Sequence, residues 1–548
     1  MTWIKSQLQL KKIINHWLTV LVLSALWVCA WQLPIVFAAN HVAFNLEPYP
    51  DGLYYLQIAK SITTQGSFLF DIKHPDVLPA IPLGYPLWLA FWWLIWDSSK
   101  TFLLANLVSG LLTLLGTWLL AKKISNSNGG AWIAWGLLAT NSVWLWFLGL
   151  PMAENLGLGL TVFLVWGCLN TDWFKSSQLT SWLKWWLLSL GALLLVLIKF
   201  IYLPISIIFV LWIGWNILTQ HGFNRKILAQ WLVVHLILLM AWFGAEMVMG
   251  RDRLEQLALP ASSFTAKSDN SVSTTNARFW SPNFFSRNLK EYSGLLAGHA
   301  PQLLWVRPRF VSPFLTIWLG IGWLALLAHR RPAAGWIGLL SIFQFVLLGM
   351  FYTADARYSI HLFPLYLAIS GAGFAWFAKK NIFADHWMIM LGILTAASQI
   401  FAQLSFTKVV VTQNFFQSST AWQKIATTRI LEQAAKNPPD FIMTAIPPYL
   451  FWLDEPQMTK TLLTPLSDAQ EFRQKGEPVW DSISPEQDIS AWVAQQLAAH
   501  KTIWISNAYV THQKQVIDDY EALKKQFSFE LIYSGCHETC NLYHLKQI

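Results

Sequence analysis

The sequence predicts an α-helical polytopic membrane protein that ends in a small α/β domain. Of its 548 residues, 55% are hydrophobic and 12% are charged, and that charged share is about half of the roughly 25% typical of soluble domains. Apolar runs of membrane-spanning length recur up to about residue 405, and beyond it predicted helices alternate with predicted strands. We therefore expect a transmembrane domain over 1–405 and an extracytoplasmic domain over 406–548.

The membrane spans are predicted from runs of about 20 apolar residues. The first run, 17–37, follows Lys5, Lys11 and Lys12, and a cleaved signal peptide is its alternative because small residues come directly after it. The other runs lie at 101–121, 131–149, 153–170, 182–199, 201–219, 227–249, 311–328, 333–352, 359–378 and 384–404. About 11 to 13 transmembrane helices are expected, depending on whether the short run 84–96 spans or lies on the membrane.

The positive charges predict the orientation of these spans. The short basic loops all fall on one side, and their residues are Lys122, Lys123, Lys175, Arg225, Lys226, Arg330, Arg331, Lys379 and Lys380. Basic loops stay inside, so the outer face receives the loops 38–100 and 250–310, together with the C-terminal domain. The net charge of +9 is spread over these short loops, and a nucleic-acid partner is therefore not predicted.

Asp51 opens a predicted short helix in the stretch PYPDGLYYLQIAKSI, at the outer face. An aspartate before an apolar-periodic run is a common N-cap, which is a purely structural role. An isolated carboxylate in an outer loop also suits a general base, which removes a proton from an acceptor. The sequence is compatible with both roles.

Further charged residues fall near the predicted outer ends of helices, namely Glu154, Lys199, Asp355 and Arg357. A charge at the membrane centre costs about 2.5 to 3.5 kcal/mol, and less near the interface. The structural alternatives are a Lys199 that extends to the interface and an Asp355 that pairs with Arg357. The functional alternative is an outward cavity in which Lys199 and Arg357 hold a departing phosphate while Asp51 deprotonates the acceptor.

The long outer loop, 250–310, contains ASSFTAKSDNSVSTTNARFWSPNFFSRN, which is rich in Ser, Thr and Asn and has no helical periodicity. Such loops over a membrane cavity are linkers or lids. Its arginines are Arg251, Arg253, Arg278, Arg287, Arg307 and Arg309. Arg307 and Arg309 lie just before a predicted span, and we expect them to meet lipid phosphates.

The C-terminal segment is predicted to form a layered α/β domain. Helices are expected near 421–436, 485–500 and 511–527, and strands near 441–446, 502–506, 529–533 and 541–545. No Gly-rich phosphate loop opens any of these helices, so nucleotide binding is not predicted there.

The cysteines predict one disulfide at most. Cys536 and Cys540 lie in SGCHETCNLYH, where they suit a disulfide across a hairpin loop in an oxidising compartment. A metal site of the form Cys-x3-Cys-x3-His, with His537 and His544 nearby, is the alternative, but its spacing fits no common zinc pattern.

The order of the motifs resembles bacterial members of the GT-C superfamily of polyprenyl-phosphate-sugar-dependent glycosyltransferases. It comprises an acid followed by Tyr-Tyr-x3-Ala-Lys, then GYPLWLAF, then an acid opening a helix in PMAENL, and ARYSIHLFPLY near the end of the membrane part. The resemblance covers about residues 10–405. It looks nearest to the branch that holds protein O-mannosyltransferases and the aminoarabinose transferases of lipid A.

The resemblance implies roles for individual residues. Asp51 would be the catalytic carboxylate, and Glu154 a second catalytic acid near the acceptor or a metal. Arg357 and Tyr358 would border the donor phosphate, and the long outer loop would be a lid. Tyr54 and Tyr55 of the first motif, and Lys199, are also taken as substrate-binding candidates.

Two departures from the family pattern modify these expectations. Gly52 follows Asp51 where the protein O-mannosyltransferases have a second acid, so a lipid or glycan acceptor is expected rather than a protein. The lysine expected before the Pro-Leu motif is missing, and Lys73 and His74 are the nearest basic residues. They are kept as substrate-binding candidates with Arg307 and Arg309.

The implied function is therefore transfer of a sugar from undecaprenyl phosphate to an extracytoplasmic acceptor. The expected location is the bacterial inner membrane, with the active site and the C-terminal domain on the periplasmic side. No cofactor is assigned, and a divalent metal ion stays open. A transporter or flippase of a lipid-linked sugar is the main alternative, and a noncatalytic scaffold is a third.

Overall fold

The computed structural model describes most of the membrane part and about three fifths of the C-terminal segment. The described residues are 2–38, 51–66, 82–174, 179–221, 229–233, 235–237, 240, 282–296, 311–350, 356–379, 384–404, 407–408, 421–445, 462–465, 488–508, 510, 514–537 and 540–548.

The chain divides into two compact units. The first consists of Met1–Pro34, Ile81–Tyr85 and Leu103–Val411, and the second of Ile35–Ala80, Pro86–Phe102 and Thr412–Ile548. The helices up to residue 402 are α1 (Thr2–Ala38), α2 (Asp51–Gln65), α3 (Gly84–Trp93), α4 (Phe102–Ser125), α5 (Asn128–Ala139), α6 (Ser142–Leu148), α7 (Ala153–Leu169), α8 (Leu179–Ile198), α9 (Leu203–His221), α10 (Phe285–Leu296), α11 (Pro313–Ala328), α12 (Pro332–Gly349), α13 (Phe363–Ala378) and α14 (Ala384–Ala402).

Five helical segments in the described part of the chain are long and apolar enough to cross a membrane. They are His16–Val36, Ser99–Ser125, Leu203–Gln220, Pro332–Gly349 and Arg357–Ala378. The pair α5 and α6 adds a sixth if it counts as one span bent by 63°. Four shorter apolar segments accompany them, at Ala153–Leu169, Leu183–Ile198, Pro313–Ala328 and Met390–Ala402. The multi-pass helical class is thus confirmed, whereas the count of about 11 to 13 spans stays a prediction.

The predicted apolar runs become helices wherever the chain is described, and the run 227–249 lies largely outside the described residues. One expectation is wrong, because α10 forms inside the loop that was expected to lack helical structure. The reason is tertiary. Asn288 of α10 donates from Nδ2 to the Gly349 carbonyl at 3.2 Å, and Tyr292 is buried with its ring centroid 5.8 Å from that of Phe345.

Glycines allow the closest helix contacts of the first unit. A Cβ atom at Gly130 of α5 would collide with the carbonyl oxygen of Gly371 of α13. A Cβ atom at Gly322 of α11 would collide with the carbonyl oxygen of Ile369, also in α13. Small residues let helix backbones approach in membrane proteins, where packing drives association. These contacts place α13 between α5 and α11, and α13 is buried along most of its length.

The C-terminal part of the second unit contains helices and a five-stranded β-sheet with both parallel and antiparallel strand pairs. It comprises α15 (Ala421–Lys436), β1 (Phe441–Thr444), β2 (Leu462–Pro465), α16 (Ile489–Ala498), β3 (Ile503–Ser506), α17 (Lys514–Gln526), β4 (Phe527–His537) and β5 (Cys540–Gln547). The strand order is β2-β1-β3-β5-β4. β1 pairs with β2 and β3 in parallel, and β5 pairs antiparallel with β3 and β4.

The predicted helices and strands of this segment are confirmed, and β2 is an edge strand that the sequence pattern did not reveal. The hydrophobic core of the C-terminal α/β part comprises Phe441, Trp492, Ile505 and Leu523, among others. The ring centroids of Phe441 and Trp492 lie 5.0 Å apart, in an edge-to-face contact that links the sheet to α16.

The cysteines of the described chain are in two states. Cys540 is disulfide-bonded, whereas Cys29 and Cys168 are free. The side chain of Cys536 lies outside the described residues, so its pairing with Cys540 stays a prediction.

Candidate functional site

Three helix breaks in the first unit position the candidate site. Pro151 separates α6 from α7, Pro204 is the second residue of α9, and Pro364 is the second residue of α13. Proline lacks an N–H group and is tolerated at the start of a helix but not in its interior. The chain therefore turns before each of these helices, and side chains at the three turns can contact one another.

The first two breaks supply a buried ion pair between Glu154 and Lys199. Lys199 Nζ lies 2.6 Å from Glu154 Oε1, and the two side chains are 14% and 1% exposed. Glu154 is in the first turn of α7, and Lys199 directly follows the last residue of α8. An acid at a helix N-terminus and a base at a helix C-terminus are each favoured by the helix dipole. The helix dipoles thus stabilise each of the two charges, in addition to the ion pair between them.

The third break adds Arg357 and Tyr358. These residues lie in the 3₁₀ segment Ala356–Leu362, which precedes α13. Lys199 Nζ is 5.4 Å from the centroid of the Tyr358 ring, and the Arg357 guanidinium carbon is also 5.4 Å from it. One aromatic ring therefore contacts two cations, an arrangement that cation–π attraction stabilises. We call Glu154, Lys199, Arg357 and Tyr358 the charged cluster.

Asparagines hold the carbonyl groups at the α6–α7 break. Asn106 donates from Nδ2 to the carbonyls of Leu148 and Leu150, at 3.1 and 2.6 Å. Asn155 donates to the Phe147 carbonyl at 2.6 Å. Because a broken helix leaves carbonyl groups without intrahelical partners, these amides satisfy them and hold the start of α7, and with it Glu154, in place.

A second group of polar residues lies beside the charged cluster, namely Tyr202, His361 and Gln344. All three are fully or almost fully buried. The rings of Tyr202 and His361 meet edge-on, with centroids 5.0 Å apart. Gln344 Nε2 donates to the carbonyl of Tyr358 at 3.2 Å, which connects α12 to the 3₁₀ segment.

The structure brings together four residues that the sequence singled out, and it leaves the others apart or undescribed. Glu154, Lys199, Arg357 and Tyr358 meet in the charged cluster. Lys199 pairs with the buried acid Glu154, and its extension to the membrane interface stays a prediction. Tyr55 is buried in α2, and α2 begins at Asp51, as predicted. Outside the described residues lie the side chains of Asp51 and Tyr54, and the whole of Lys73, His74, Arg307, Arg309 and Asp355.

Sequence reasoning did not assign roles to Tyr202, His361 and Gln344. His361 was inside the quoted motif ARYSIHLFPLY, and Tyr202 follows Lys199 by three residues. That spacing is a signal, because a turn after a helix places residues three apart on one side. Neither residue carries a charge that would have marked it.

The metal alternative gains no ligand set within the described chain. No group of three or more His, Cys, Asp or Glu side chains lies close enough together there to hold an ion. The Glu154 oxygen nearest to Lys199 is already engaged in the ion pair.

Comparison with known proteins shows similarity in structure at low sequence identity. No protein-family model matches the sequence, and no curated protein matches it. The structure of ArnT from Cupriavidus metallidurans bound to undecaprenyl phosphate aligns with a TM-score of 0.60 and 13% identity, covering 97% of this chain and 98% of that one. Its apo state gives 0.60 and 14% identity, with the same coverage.

An archaeal protein shows a weaker similarity. The oligosaccharyltransferase AglB from Archaeoglobus fulgidus, in complex with an inhibitory peptide and a dolichol-phosphate, gives a TM-score of 0.51 at 11% identity. The alignment covers 97% of this chain and 74% of AglB. The fold of this chain is thus similar to that of ArnT and AglB, which both belong to the GT-C superfamily, and the resemblance predicted from the motifs is confirmed at the level of the fold.

Proposed function

We propose that this protein is an integral-membrane glycosyltransferase that moves a sugar from an undecaprenyl-phosphate donor to a lipid or glycan acceptor. The proposed location is the outer face of the bacterial inner membrane. The observation that carries the proposal is the charged cluster, which lies at three helix breaks of a chain with the GT-C fold. Support also comes from the ArnT structure, which contains undecaprenyl phosphate.

The charge of the cluster suits a phosphate leaving group. Its described side chains are two cations, Lys199 and Arg357, and one anion, Glu154, so the set is net positive. Arginine binds phosphate through a planar fork of donors, and lysine acts as a point charge. Glu154 takes up part of the Lys199 charge, and we propose that Arg357 makes the main contact with the phosphate.

The proposed reaction is a displacement at the anomeric carbon of the sugar. An acceptor hydroxyl attacks that carbon, and its proton passes to the Asp51 carboxylate. The bond between the anomeric carbon and the phosphate oxygen breaks, and undecaprenyl phosphate leaves with the bonding electrons. Lys199 and Arg357 stabilise the charge that develops on the phosphate. A general base contributes about 10² to 10⁴ in rate.

The test is transfer of radiolabelled sugar from a panel of undecaprenyl-phosphate sugars, in membranes that contain the wild type or Asp51→Asn. We expect the label to reach a product with the wild type and a loss of about 10²-fold or more with the variant. Asp97→Asn is the matched control, because the exposed Asp97 accepts a hydrogen bond from Trp93 at 2.7 Å, which an amide oxygen can also accept. This control should transfer normally.

Two outcomes would contradict the proposal. Full activity of Asp51→Asn would remove Asp51 as the base. No transfer from any donor, together with movement of a labelled lipid across the bilayer that depends on Asp51, would favour the flippase instead.

A further inference from the structure

Several buried polar atoms beside the Glu154–Lys199 pair have no hydrogen-bond partner among the described residues. They are Glu154 Oε2, the Tyr202 hydroxyl, both ring nitrogens of His361 and Gln344 Oε1. Glu154 is 1% exposed, and the other three residues are 0% exposed. Buried polar groups in native proteins are almost always hydrogen-bonded. A concentration of unpartnered groups at one place therefore points to a ligand or to ordered water.

The geometry places two of these atoms along the same side of one short stretch of α7. Glu154 and Gly157 are three residues apart, so they lie on the same side of the helix. A Cβ atom at Gly157 would collide with the Tyr202 hydroxyl, so the glycine makes room for this group. No direct hydrogen bond joins Glu154 Oε2 to the Tyr202 hydroxyl. Separated polar groups of this kind are commonly bridged by a water molecule, and a ligand hydroxyl can take the place of that water.

We propose that Glu154, Tyr202 and His361 form a subsite for one uncharged hydroxyl group, which is either a hydroxyl of the transferred sugar or a water molecule. The sugar version rests on the proposed function, because only a sugar donor would bring such a hydroxyl to the charged cluster. The water version is independent of it. In both versions Tyr202 and His361 contact the hydroxyl without taking part in the ion pair.

The chemistry of the three side chains favours a hydroxyl over an ion. Lys199 engages Glu154 Oε1 and leaves Oε2 as an acceptor. The tyrosine hydroxyl both donates and accepts, and a neutral imidazole has one donor and one acceptor nitrogen. The set therefore complements a group that also donates and accepts. A phosphate is disfavoured because it would face the Glu154 carboxylate at close range.

A sugar hydroxyl in this subsite would make Tyr202 a determinant of donor specificity. A buried site that hydrogen-bonds a substrate hydroxyl rejects an analogue without it, since the site's own polar groups are then left unpaired. We therefore expect Tyr202 to make the binding affinity of a donor depend on its sugar. It should not change the affinity for undecaprenyl phosphate without a sugar.

The experiment measures binding rather than turnover, with the full chain in nanodiscs. The ligands are a fixed panel of undecaprenyl-phosphate-linked hexoses and pentoses, with bare undecaprenyl phosphate as reference. The variant Tyr202→Phe removes one hydroxyl and keeps the ring that contacts His361. Tyr366→Phe is the matched control, because it also removes one tyrosine hydroxyl, from a residue of α13 that is not part of the subsite. A cryo-EM map of the wild type and of Tyr202→Phe completes the comparison.

The sugar version predicts that Tyr202→Phe binds at least one sugar-loaded carrier about 2- to 10-fold more weakly and binds the bare carrier as before. Gly157→Ala, which adds a methyl group against the Tyr202 hydroxyl, should give the same selective loss. Tyr366→Phe should change neither affinity. The water version predicts unchanged affinities and a density peak between Glu154 and Tyr202, present in the wild type and lost in Tyr202→Phe.

The proposal is overturned if Tyr202→Phe shows neither the selective loss nor the lost density. Its failure is separable from failure of the proposed function. Sugar transfer without either signal would leave the transferase and remove the subsite. Either signal without sugar transfer from any donor would leave the subsite and remove the transferase.

Discussion

The Glu154–Lys199 ion pair predicts a large and specific loss of stability when the lysine charge is removed. At 2.6 Å between Nζ and Oε1, two unit charges attract by about 6 kcal/mol at an effective dielectric constant of about 20. The cost of removing both groups from water offsets part of this attraction. Removing one partner only leaves an unpaired buried carboxylate, and we expect Lys199→Met to lower the free energy of unfolding by about 3 to 5 kcal/mol.

A double-mutant cycle separates the pair from the shape of the side chains. Glu154→Gln combined with Lys199→Met leaves no buried charge, so the double variant should recover at least about 2 kcal/mol of the loss. The assay is equilibrium unfolding of the purified protein in mixed micelles. Lys184→Met is the control, since Lys184 Nζ lies 5.5 Å from the ring centroid of Trp173 and should contribute only about 0.5 to 1 kcal/mol.

Either of two results would contradict a dependence of Glu154 on Lys199. One is a Lys199→Met variant that unfolds within about 1 kcal/mol of the wild type. The other is a cycle in which the two single losses simply add. Either result would mean that the carboxylate of Glu154 does not depend on Lys199 for its burial.

Two further predictions concern the packing of the first unit and the acid response of the C-terminal sheet. Gly322→Ala should destabilise the protein by about 1 to 3 kcal/mol, because the added methyl group meets the Ile369 carbonyl. Gly320→Ala is the control, and it should be neutral or slightly stabilising because the space around Gly320 is open. Equal losses of stability in the two variants would contradict the close approach of α11 to α13 at Gly322. The Thr502 amide donates to Asp440 Oδ2 at 2.8 Å, and this bond, with Lys501, lowers the pKa of Asp440. The stabilisation that ionised Asp440 contributes is therefore present above the unfolded-state pKa of about 3.9 and is lost as pH falls through the folded-state pKa. We expect amide exchange in β1 to rise below about pH 4 in the wild type. An identical exchange profile in Asp440→Asn would contradict this.

The sequence by itself determined the features that depend on neighbouring residues. Apolar runs of span length predicted most of the helices that the structure describes, because a helix satisfies its own backbone hydrogen bonds and needs only an apolar surface in the membrane. The mixed periodicity of the C-terminal segment likewise predicted α15 to α17 and four of the five strands there. The charges of Glu154, Lys199 and Arg357 also identified them as candidates, since charged side chains in membrane segments are energetically costly and commonly functional.

Tertiary structure alone decided which of these residues meet. Glu154 and Lys199 are 45 residues apart in the chain, and only the packing of α7 against α8 and the following turn makes them a pair. α10 and β2 form because other elements supply their partners: α12 buries one face of α10, and β1 provides the hydrogen bonds of β2. Tyr202 and His361 look like ordinary interior residues in the sequence. Their polar atoms gain significance only because long-range packing buries them together, next to a carboxylate and away from water.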